Sequence, residues 1–163
     1  MDKVILKKLQ KWFCENAESL PWRPRLLEAL RDPYAVWISE TMLQQTQVAT
    51  VKDYFVRWMK RFPDLDSLAK ANEAEVFKFW QGLGYYNRAK NILKTAKIVA
   101  PQMPDSRKEL EALPGIGAYT AGAILSLAFH KNEAILDGNL VRIFSRFYAL
   151  DFLPDSAIHK EIY

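Results

Sequence analysis

Cysteine is almost absent from this sequence, since Cys14 is the only one in 163 residues. One thiol cannot close a disulfide within the chain, and it cannot build a cysteine-ligated zinc site or iron–sulfur cluster. The two histidines, His130 and His159, are isolated from one another, so we expect no metal site in this chain. Scarce cysteine favours a reducing, intracellular setting, which would be the cytoplasm or nucleoid if the source is bacterial.

Long apolar runs are also missing. No stretch of about 20 apolar residues is available to cross a membrane, and the N-terminus lacks the apolar segment and cleavage site of a secretion signal. We therefore expect no membrane association. What is present is a hydrophobic content of 50%, enough for a packed core, and a net charge of +4 that suits a polyanionic partner.

No segment alternates with a period of two, so the sequence predicts an all-α fold. Asp32-Pro33, Asn72 with Glu75, and Ser106 with Glu109 are typical helix starts. An Arg- and Pro-containing surface loop is expected over residues 21–32. The predicted helices cover residues 3–17, 33–51, 54–61, 72–82, 87–99, 106 to the following turn, 119–129 and 140–149, and another begins at 155.

The segment Leu-Pro-Gly-Ile-Gly at residues 113–117 lies between two helical patterns and is too rich in Gly and Pro to be helical. It predicts a tight hairpin. Without side chains at the two glycines, the amides of Gly115, Ile116 and Gly117 can approach an anion at the start of the next helix, where the helix dipole favours negative charge. A phosphate is the expected ligand.

Two carboxylates stand out. Glu40 is predicted on the helical stripe of Val36, Leu43 and Val51, where desolvation would raise its pKa and make it a general acid; the alternative is a solvated surface residue. Asp137 follows an apolar run and precedes a helix, so it is either the second carboxylate of a site or simply an N-cap. Chemistry at a sugar–base bond commonly needs such a pair.

Aromatic and basic residues are interleaved over residues 85–90. The tyrosine rings there can stack on bases while Arg88 and Lys90 reach phosphates; the alternative is a pair of core tyrosines beside a solvated helix start. Arg142 and Arg146 form either a second phosphate-facing patch or plain surface charge.

The hairpin at 113–117, together with Ala-Ile-Leu-Asp-Gly-Asn at 134–139, resembles the helix-hairpin-helix DNA glycosylase superfamily. Four further blocks resemble its adenine DNA glycosylases of the MutY type. They are LPWR at 20–23, SETMLQQTQV at 39–48, GLGYY at 82–86 and YTAGAI at 119–124. The resemblance runs from about residue 5 to residue 150.

This resemblance implies a two-lobed fold and a base-excision repair enzyme. Residues 1–30 would belong to the second lobe, 31–140 would form the helical lobe with the helix-hairpin-helix at 108–130, and 141–163 would begin the rest of the second lobe. The enzyme would act as a monomer on double-stranded DNA, hydrolysing the N-glycosidic bond of adenine mispaired with guanine or 8-oxoguanine after flipping the nucleotide out.

The resemblance also assigns catalytic roles. Glu40 matches the acid that protonates the departing adenine, and Asp137 matches the carboxylate that stabilises the oxocarbenium-like sugar. Tyr119 and Asn139 match residues that assist in the active site. Related strand-cleaving glycosylases have a lysine where this chain has Tyr119, and the lysine amine forms a Schiff base. A monofunctional glycosylase is therefore expected.

DNA contacts are implied at further positions. Trp22 and Arg23 match the lining of the adenine pocket, whereas Gln45 and Tyr85 match residues that enter the base stack.

The sequence departs from the family pattern in three places. The loop between Trp22 and Asp32 is longer than expected, and Val141 stands where some members have a basic residue. The chain also ends at Tyr163, whereas family members continue into a four-cysteine [4Fe-4S] segment, so we expect a truncated second lobe and a cluster encoded beyond it. Two alternatives remain open, namely a DNA-binding module without turnover and a glycosylase for another base such as thymine opposite guanine.

Overall fold

A computed structural model of the chain describes residues 3–23 and 31–149. These residues form nine helices and no strand, apart from one isolated bridge between Leu20 and Arg23. The all-α prediction is confirmed. The predicted helix from 155 and most of the predicted loop at 21–32 lie outside the described residues. The helices are α1 (Lys3–Asn16), α2 (Pro33–Leu43), α3 (Val48–Arg61), α4 (Leu65–Ala69), α5 (Glu73–Trp80), α6 (Asn87–Val99), α7 (Arg107–Glu111), α8 (Ala118–Leu127) and α9 (Gly138–Phe147).

Three helix starts follow the local side-chain chemistry that predicted them. Asp32 accepts a hydrogen bond from the Tyr34 amide at 3.0 Å. Asn72 accepts one from the Glu75 amide at 2.9 Å, and Ser106 caps α7 in the same way. Each cap satisfies an amide that the helix itself leaves without a partner. The short helix α4, which begins with a capping box formed by Asp64 and Ser67, was not predicted.

The single helix predicted over residues 33–51 is wrong. The chain leaves α2 at Leu43, and Gln45 adopts a left-handed conformation with φ of 58° before α3 begins at Val48. The guanidinium of Arg88 binds the carbonyl oxygens at the end of α2, which stabilises a helix terminus at this point. The predicted stripe therefore ends at Leu43, and Val51 belongs to a different helix.

The core is centred on α2 and α8, which pack against each other and are apolar around most of their surface. Helices of this kind are buried on most sides. Trp37, Ile38 and Met42 of α2 are almost fully buried, as are Ala121, Ile124 and Leu125 of α8. The tight packing of these two helices fixes the relative position of the polar residues near their exposed ends.

The helices α1 and α9 have no buried residues. Both are amphipathic, and both expose large apolar side chains, including Leu9 and Trp12 on α1 and Ile143 and Phe147 on α9. The predicted lobe boundaries remain predictions. Over the described ranges, no helix combines the length and apolar character needed to cross a bilayer.

Candidate active site and nucleic-acid interface

A carboxyl group and a phenol meet where α2 packs on α8. Glu40 lies three residues before the end of α2 and is half-buried, and Tyr119 is the second residue of α8. The Tyr119 hydroxyl lies within hydrogen-bonding reach of the Glu40 carboxyl. Burial raises the pKa of Glu40, as the sequence predicted, while the hydrogen bond from Tyr119 and the charge of Arg31 act in the opposite direction. The alternative of a fully solvated Glu40 is excluded.

The phenol is the donor of this pair. Burial, the charge of Glu40 and the hydrogen bond to it raise the pKa of Tyr119 to about 12, so the hydroxyl keeps its proton at neutral pH. Asp137 contributes to the same rise through its charge. Tyr119 therefore stands within the electrostatic reach of both carboxylates, and its 38% exposure leaves the ring accessible from solvent.

Asp137 serves as the N-cap of α9 and also faces this site. Its carboxylate accepts hydrogen bonds from the Leu140 amide at 2.8 Å and from the Asn139 side-chain nitrogen at 3.1 Å. Both bonds fix the orientation of the carboxylate. The two interpretations of Asp137 are compatible. Asn139 donates to Asp137, and the charge of Asp137 acts on Tyr119, which in turn interacts with Glu40.

Arg107 holds the segment that leads to Asp137, and the sequence did not single it out. Its Nη2 and Nε atoms donate to Glu133 at 2.7 and 3.1 Å, its Nη1 donates to Glu111 at 2.9 Å, and Nη1 also reaches the carbonyl of Ala118 at 3.3 Å. One guanidinium thus connects α7 to Ala118, the residue before Tyr119, and to Glu133, in the segment that leads to Asp137. A glutamate four residues after Arg107 was the only local signal.

Gly122 lets that same segment lie directly on α8. A Cβ atom at Gly122 would come within 2.9 Å of the carbonyl oxygen of Ala134. Contacts this short do not occur for real Cβ atoms, so a larger residue would push the backbone at Ala134 outward. The segment ends three residues later at Asp137.

Arg31 is a second residue that the sequence did not assign to the site. Its guanidinium is partly buried and lies within electrostatic range of Glu40 and of Arg23. Burial and the neighbouring charge of Arg23 lower the pKa of Arg31. Because Arg31 itself lies in the surface loop predicted over residues 21–32, nothing in the local sequence indicated this contact.

Trp22 and Arg23 lie beside the core. The Trp22 ring is 8% exposed and packs edge-on against Phe55 at 5.4 Å. Arg23 donates to the Glu18 carbonyl at 2.9 Å and lies over the Phe13 ring. The charge of Arg23 acts on Arg31, and a role of Trp22 or Arg23 in an adenine pocket stays a prediction.

The hairpin between α7 and α8 presents main-chain groups on a fixed support. The Ile116 side chain is buried, and the Thr95 hydroxyl donates to the Pro114 carbonyl at 3.0 Å. Gly115 has φ of 77°, and a Cβ atom there would lie 2.8 Å from Cβ of Asn91. Gly117 is the N-cap of α8 and faces open space. Within the described part of the chain no side chain caps α8, so its first amides are suited to an anion.

A second exposed surface lies between the turn after α2 and the turn before α6. It surrounds a groove of about 710 Å³ lined by Gln44, Gln45, Tyr85, Tyr86, Asn87 and Arg88. Tyr85 is 65% exposed, which excludes the alternative of a core tyrosine. Tyr86 packs edge-on against Phe77 and is partly exposed.

Arg88 faces inward at this groove. Its guanidinium donates to the Thr41 carbonyl near the end of α2 at 2.9 Å and to the Leu83 carbonyl in the turn before α6 at 3.0 Å. A phosphate contact by Arg88 stays untested, and the same holds for Arg142 and Arg146, which are exposed on α9.

A four-cysteine cluster does not fit the donors of this chain. Cys14 is the only cysteine in the sequence and is exposed on α1. Across residues 3–23 and 31–149, no three His, Cys, Asp or Glu side chains are grouped so that they could hold a metal ion.

Residues 38–162 match the model of the HhH-GPD superfamily of base excision DNA repair proteins, and the chain belongs to this family. Within it, the chain is similar to adenine DNA glycosylases. It is 43% identical over 159 residues to the one from Rattus norvegicus, covering 93% of this chain and 31% of that protein. It is also 43% identical over 153 residues to the one from Buchnera aphidicola subsp. Baizongia pistaciae, covering 91% of this chain and 42% of that protein. The chain thus spans less than half the length of these relatives.

Solved structures agree on the architecture. The chain superposes with a TM-score of 0.77 on a thermostable thymine-DNA glycosylase, at 28% identity, covering 88% of this chain and 66% of that one. A non-covalent endonuclease III–DNA complex gives a TM-score of 0.75 at 23% identity, covering 98% of this chain and 72% of the other, and shows the shared fold alone. The resemblance drawn from the sequence blocks is confirmed.

Proposed function

We propose that this chain carries the catalytic part of an adenine DNA glycosylase acting on adenine mispaired with guanine or 8-oxoguanine. The observation that carries the proposal is the hydrogen-bonded pair of Glu40 and Tyr119 beside the capped carboxylate of Asp137. The similarity to adenine DNA glycosylases supports the choice of base.

The chemistry follows from the two different carboxyl environments. Glu40, whose pKa is raised by burial, donates its proton to a ring nitrogen of the departing adenine as the bond to the sugar breaks. The carboxylate of Asp137, held by Leu140 and Asn139, stabilises the positive charge that develops on the sugar. Water then adds to the sugar carbon, and the proton it loses returns to Glu40.

Tyr119 orients Glu40 by donating its hydroxyl hydrogen. A phenol has no amine to form a Schiff base with the sugar, so we propose a monofunctional enzyme that releases adenine without cutting the strand. Trapping with borohydride should give little or no covalent complex with DNA. Abundant trapping through this site would contradict the assignment.

DNA binding is proposed at two exposed surfaces, the hairpin before α8 and the groove between the turns of Gln45 and Tyr85. The amides of Gly115, Ile116 and Gly117 would bind a phosphate at the start of α8, and Gln45 and Tyr85 would enter the base stack near the mismatch. Trp22 and Arg23 would line the pocket for the flipped adenine. The proposed partner is double-stranded DNA with an adenine mismatch, and the protein would bind it as a monomer. The proposed location is the cellular compartment that contains the chromosomal DNA.

The decisive experiment measures adenine release under single-turnover conditions from duplexes with adenine opposite 8-oxoguanine or guanine. Glu40→Gln is expected to slow release by about 10²- to 10⁴-fold, the range typical of a general acid, with DNA affinity changed by less than about threefold. Glu15→Gln on α1 is the matched control, since Glu15 is exposed and far along the chain from Glu40. It should leave release unchanged.

Two outcomes separate the alternatives. If the unaltered chain binds mismatched DNA without releasing any base, it is a DNA-binding module. If it releases thymine opposite guanine faster than adenine, it is a glycosylase for a different base.

A further inference from the structure

Two non-glycine residues with left-handed backbones flank the exposed groove. Gln45 has φ of 58° in the turn between α2 and α3, and Tyr85 has φ of 48° in the turn between α5 and α6. A side chain disfavours this conformation, so it persists only where the surroundings determine it. These two residues are also the ones proposed above to enter the base stack.

Arg88 stabilises the backbone of the turn between α2 and α3. Its Nη1 atom donates to the carbonyl oxygens of Thr41 at 2.9 Å and Met42 at 3.2 Å, and it also contacts the Gln44 carbonyl. These carbonyls end α2 and lack partners within the helix, and the negative end of the helix dipole favours a cation there. The guanidinium thus fixes the backbone immediately before Gln45.

The same guanidinium reaches the second turn. Its Nη2 atom donates to the Leu83 carbonyl at 3.0 Å and the Gly84 carbonyl at 3.4 Å. It also lies 5.2 Å above the Trp80 ring and 5.5 Å from the Tyr85 ring, and Trp80 itself donates to the Gly84 carbonyl at 2.9 Å. The backbone immediately before Tyr85 is therefore held as well.

Both terminal nitrogens of Arg88 are occupied by main-chain oxygens, and its Nε is buried without a partner among the described residues. A phosphate would have to compete with these carbonyls. Lysine would not reproduce the arrangement. Its ammonium lacks the planar guanidinium geometry that lets Arg88 donate to carbonyl oxygens of both turns at the same time.

We propose that Arg88 is a positioning residue that clamps the turns of Gln45 and Tyr85 together and so sets how both side chains enter the base stack. The proposal rests on the proposed function, because it assumes that these side chains separate stacked bases. It assigns Arg88 to the geometry of base extrusion and not to phosphate binding.

The test compares Arg88→Met and Arg88→Lys with the unaltered chain on a duplex that carries 2-aminopurine at the target position. Extrusion of this fluorescent base raises its emission. Both variants are expected to lower the extrusion equilibrium by about tenfold or more, because correct placement of both side chains is lost. The slope of log affinity against log salt concentration should stay unchanged in Arg88→Met, since no phosphate contact is removed.

A phosphate contact predicts the opposite pattern. The salt slope would then fall by about 0.9 in Arg88→Met, and Arg88→Lys would restore both affinity and extrusion. Either result would overturn the proposal. Lys97→Met on the exposed side of α6 is the control for losing a basic side chain from the same helix, and it should leave extrusion unchanged.

A measurement on the unaltered chain covers the case in which the variants fail to fold. In ¹⁵N-arginine NMR spectra, clamped Nη groups of Arg88 should show hindered rotation without DNA and the same shifts with DNA. A large shift on DNA addition would refute the clamp. Neither the extrusion measurement nor the salt slope requires base release. A chain that releases no adenine would therefore refute the proposed function, whereas the test of the Arg88 clamp could still be carried out.

Discussion

The two glycines of the hairpin should respond differently to the same substitution. At Gly115 the backbone is left-handed with φ of 77°, and a Cβ atom would lie 2.8 Å from Cβ of Asn91. At Gly117 the φ of −93° is open to any residue, and a Cβ atom would meet nothing within 4 Å. Replacing each glycine by alanine therefore separates a requirement of the fold from a requirement of the ligand.

For Gly115→Ala the left-handed conformation costs about 1–2 kcal/mol. The collision with Asn91 involves an atom next to the backbone, and overpacking of this kind costs roughly 1–3 kcal/mol. A loss of about 2–5 kcal/mol in the free energy of unfolding follows. For a chain of 163 residues, each kcal/mol shifts the melting temperature by about 2–4 °C.

For Gly117→Ala two small effects nearly cancel. Alanine is a poorer N-cap than glycine by about 0.5–1 kcal/mol. Against this, alanine restricts the unfolded chain and stabilises the fold by about 0.4–1 kcal/mol. The melting temperature should stay within about 3 °C, whereas the added methyl group obstructs a phosphate approaching the amides and weakens DNA binding by about tenfold, or 1.4 kcal/mol.

Thermal unfolding followed by circular dichroism and DNA binding followed by fluorescence anisotropy measure these effects. Gly117→Ala with undiminished DNA affinity would show that the phosphate does not approach at this glycine. Gly115→Ala with an unchanged melting temperature would refute the argument from backbone conformation and contact distance.

Two further predictions concern the residues around the carboxylates. Tyr119→Phe removes a hydrogen bond that lowers the pKa of Glu40, so the pKa of Glu40 should rise in this variant. Because Glu40 must be protonated in its proposed role as an acid, the single-turnover rate should begin to fall at a higher pH than in the unaltered chain, and identical pH–rate profiles would contradict this. Arg107→Met removes the ion pair with Glu133, in which both side chains are about one quarter exposed, and a more exposed pair with Glu111, so the free energy of unfolding measured in urea should fall by about 1–2 kcal/mol. Lys131→Met, which breaks a more exposed pair with Asp105, is the matched control and should cost less than about 0.5 kcal/mol; equal losses in the two variants would refute the role of Arg107.

The helices that could be predicted are those whose ends depend on nearby residues. Asp32, Asn72 and Ser106 each cap a helix through an amide two or three residues away, so a short window contains the whole signal. The break after Leu43 depends instead on Arg88, more than forty residues along the chain. Periodicity alone therefore extended α2 too far.

The residues of the candidate site also fall into those that local sequence indicates and those that it does not. The raised pKa of Glu40 was predictable because its apolar helical neighbours indicate burial. Arg31 and Arg107 were not predictable, since the groups they contact or influence, Glu40 and Glu133, are brought to them by tertiary packing. Tyr119 carries no local signal for its contact with Glu40, and only the resemblance to a known family pointed to it.

The close approach of Ala134 to Gly122 links the packing of a core helix to the position of a carboxylate. A side chain at position 122 would displace the segment that ends at Asp137. A fall in melting temperature alone would report only that such a variant is destabilised. Its main defect would be a misplaced Asp137, the carboxylate proposed to stabilise the sugar, so variants at this glycine should be judged by turnover as well.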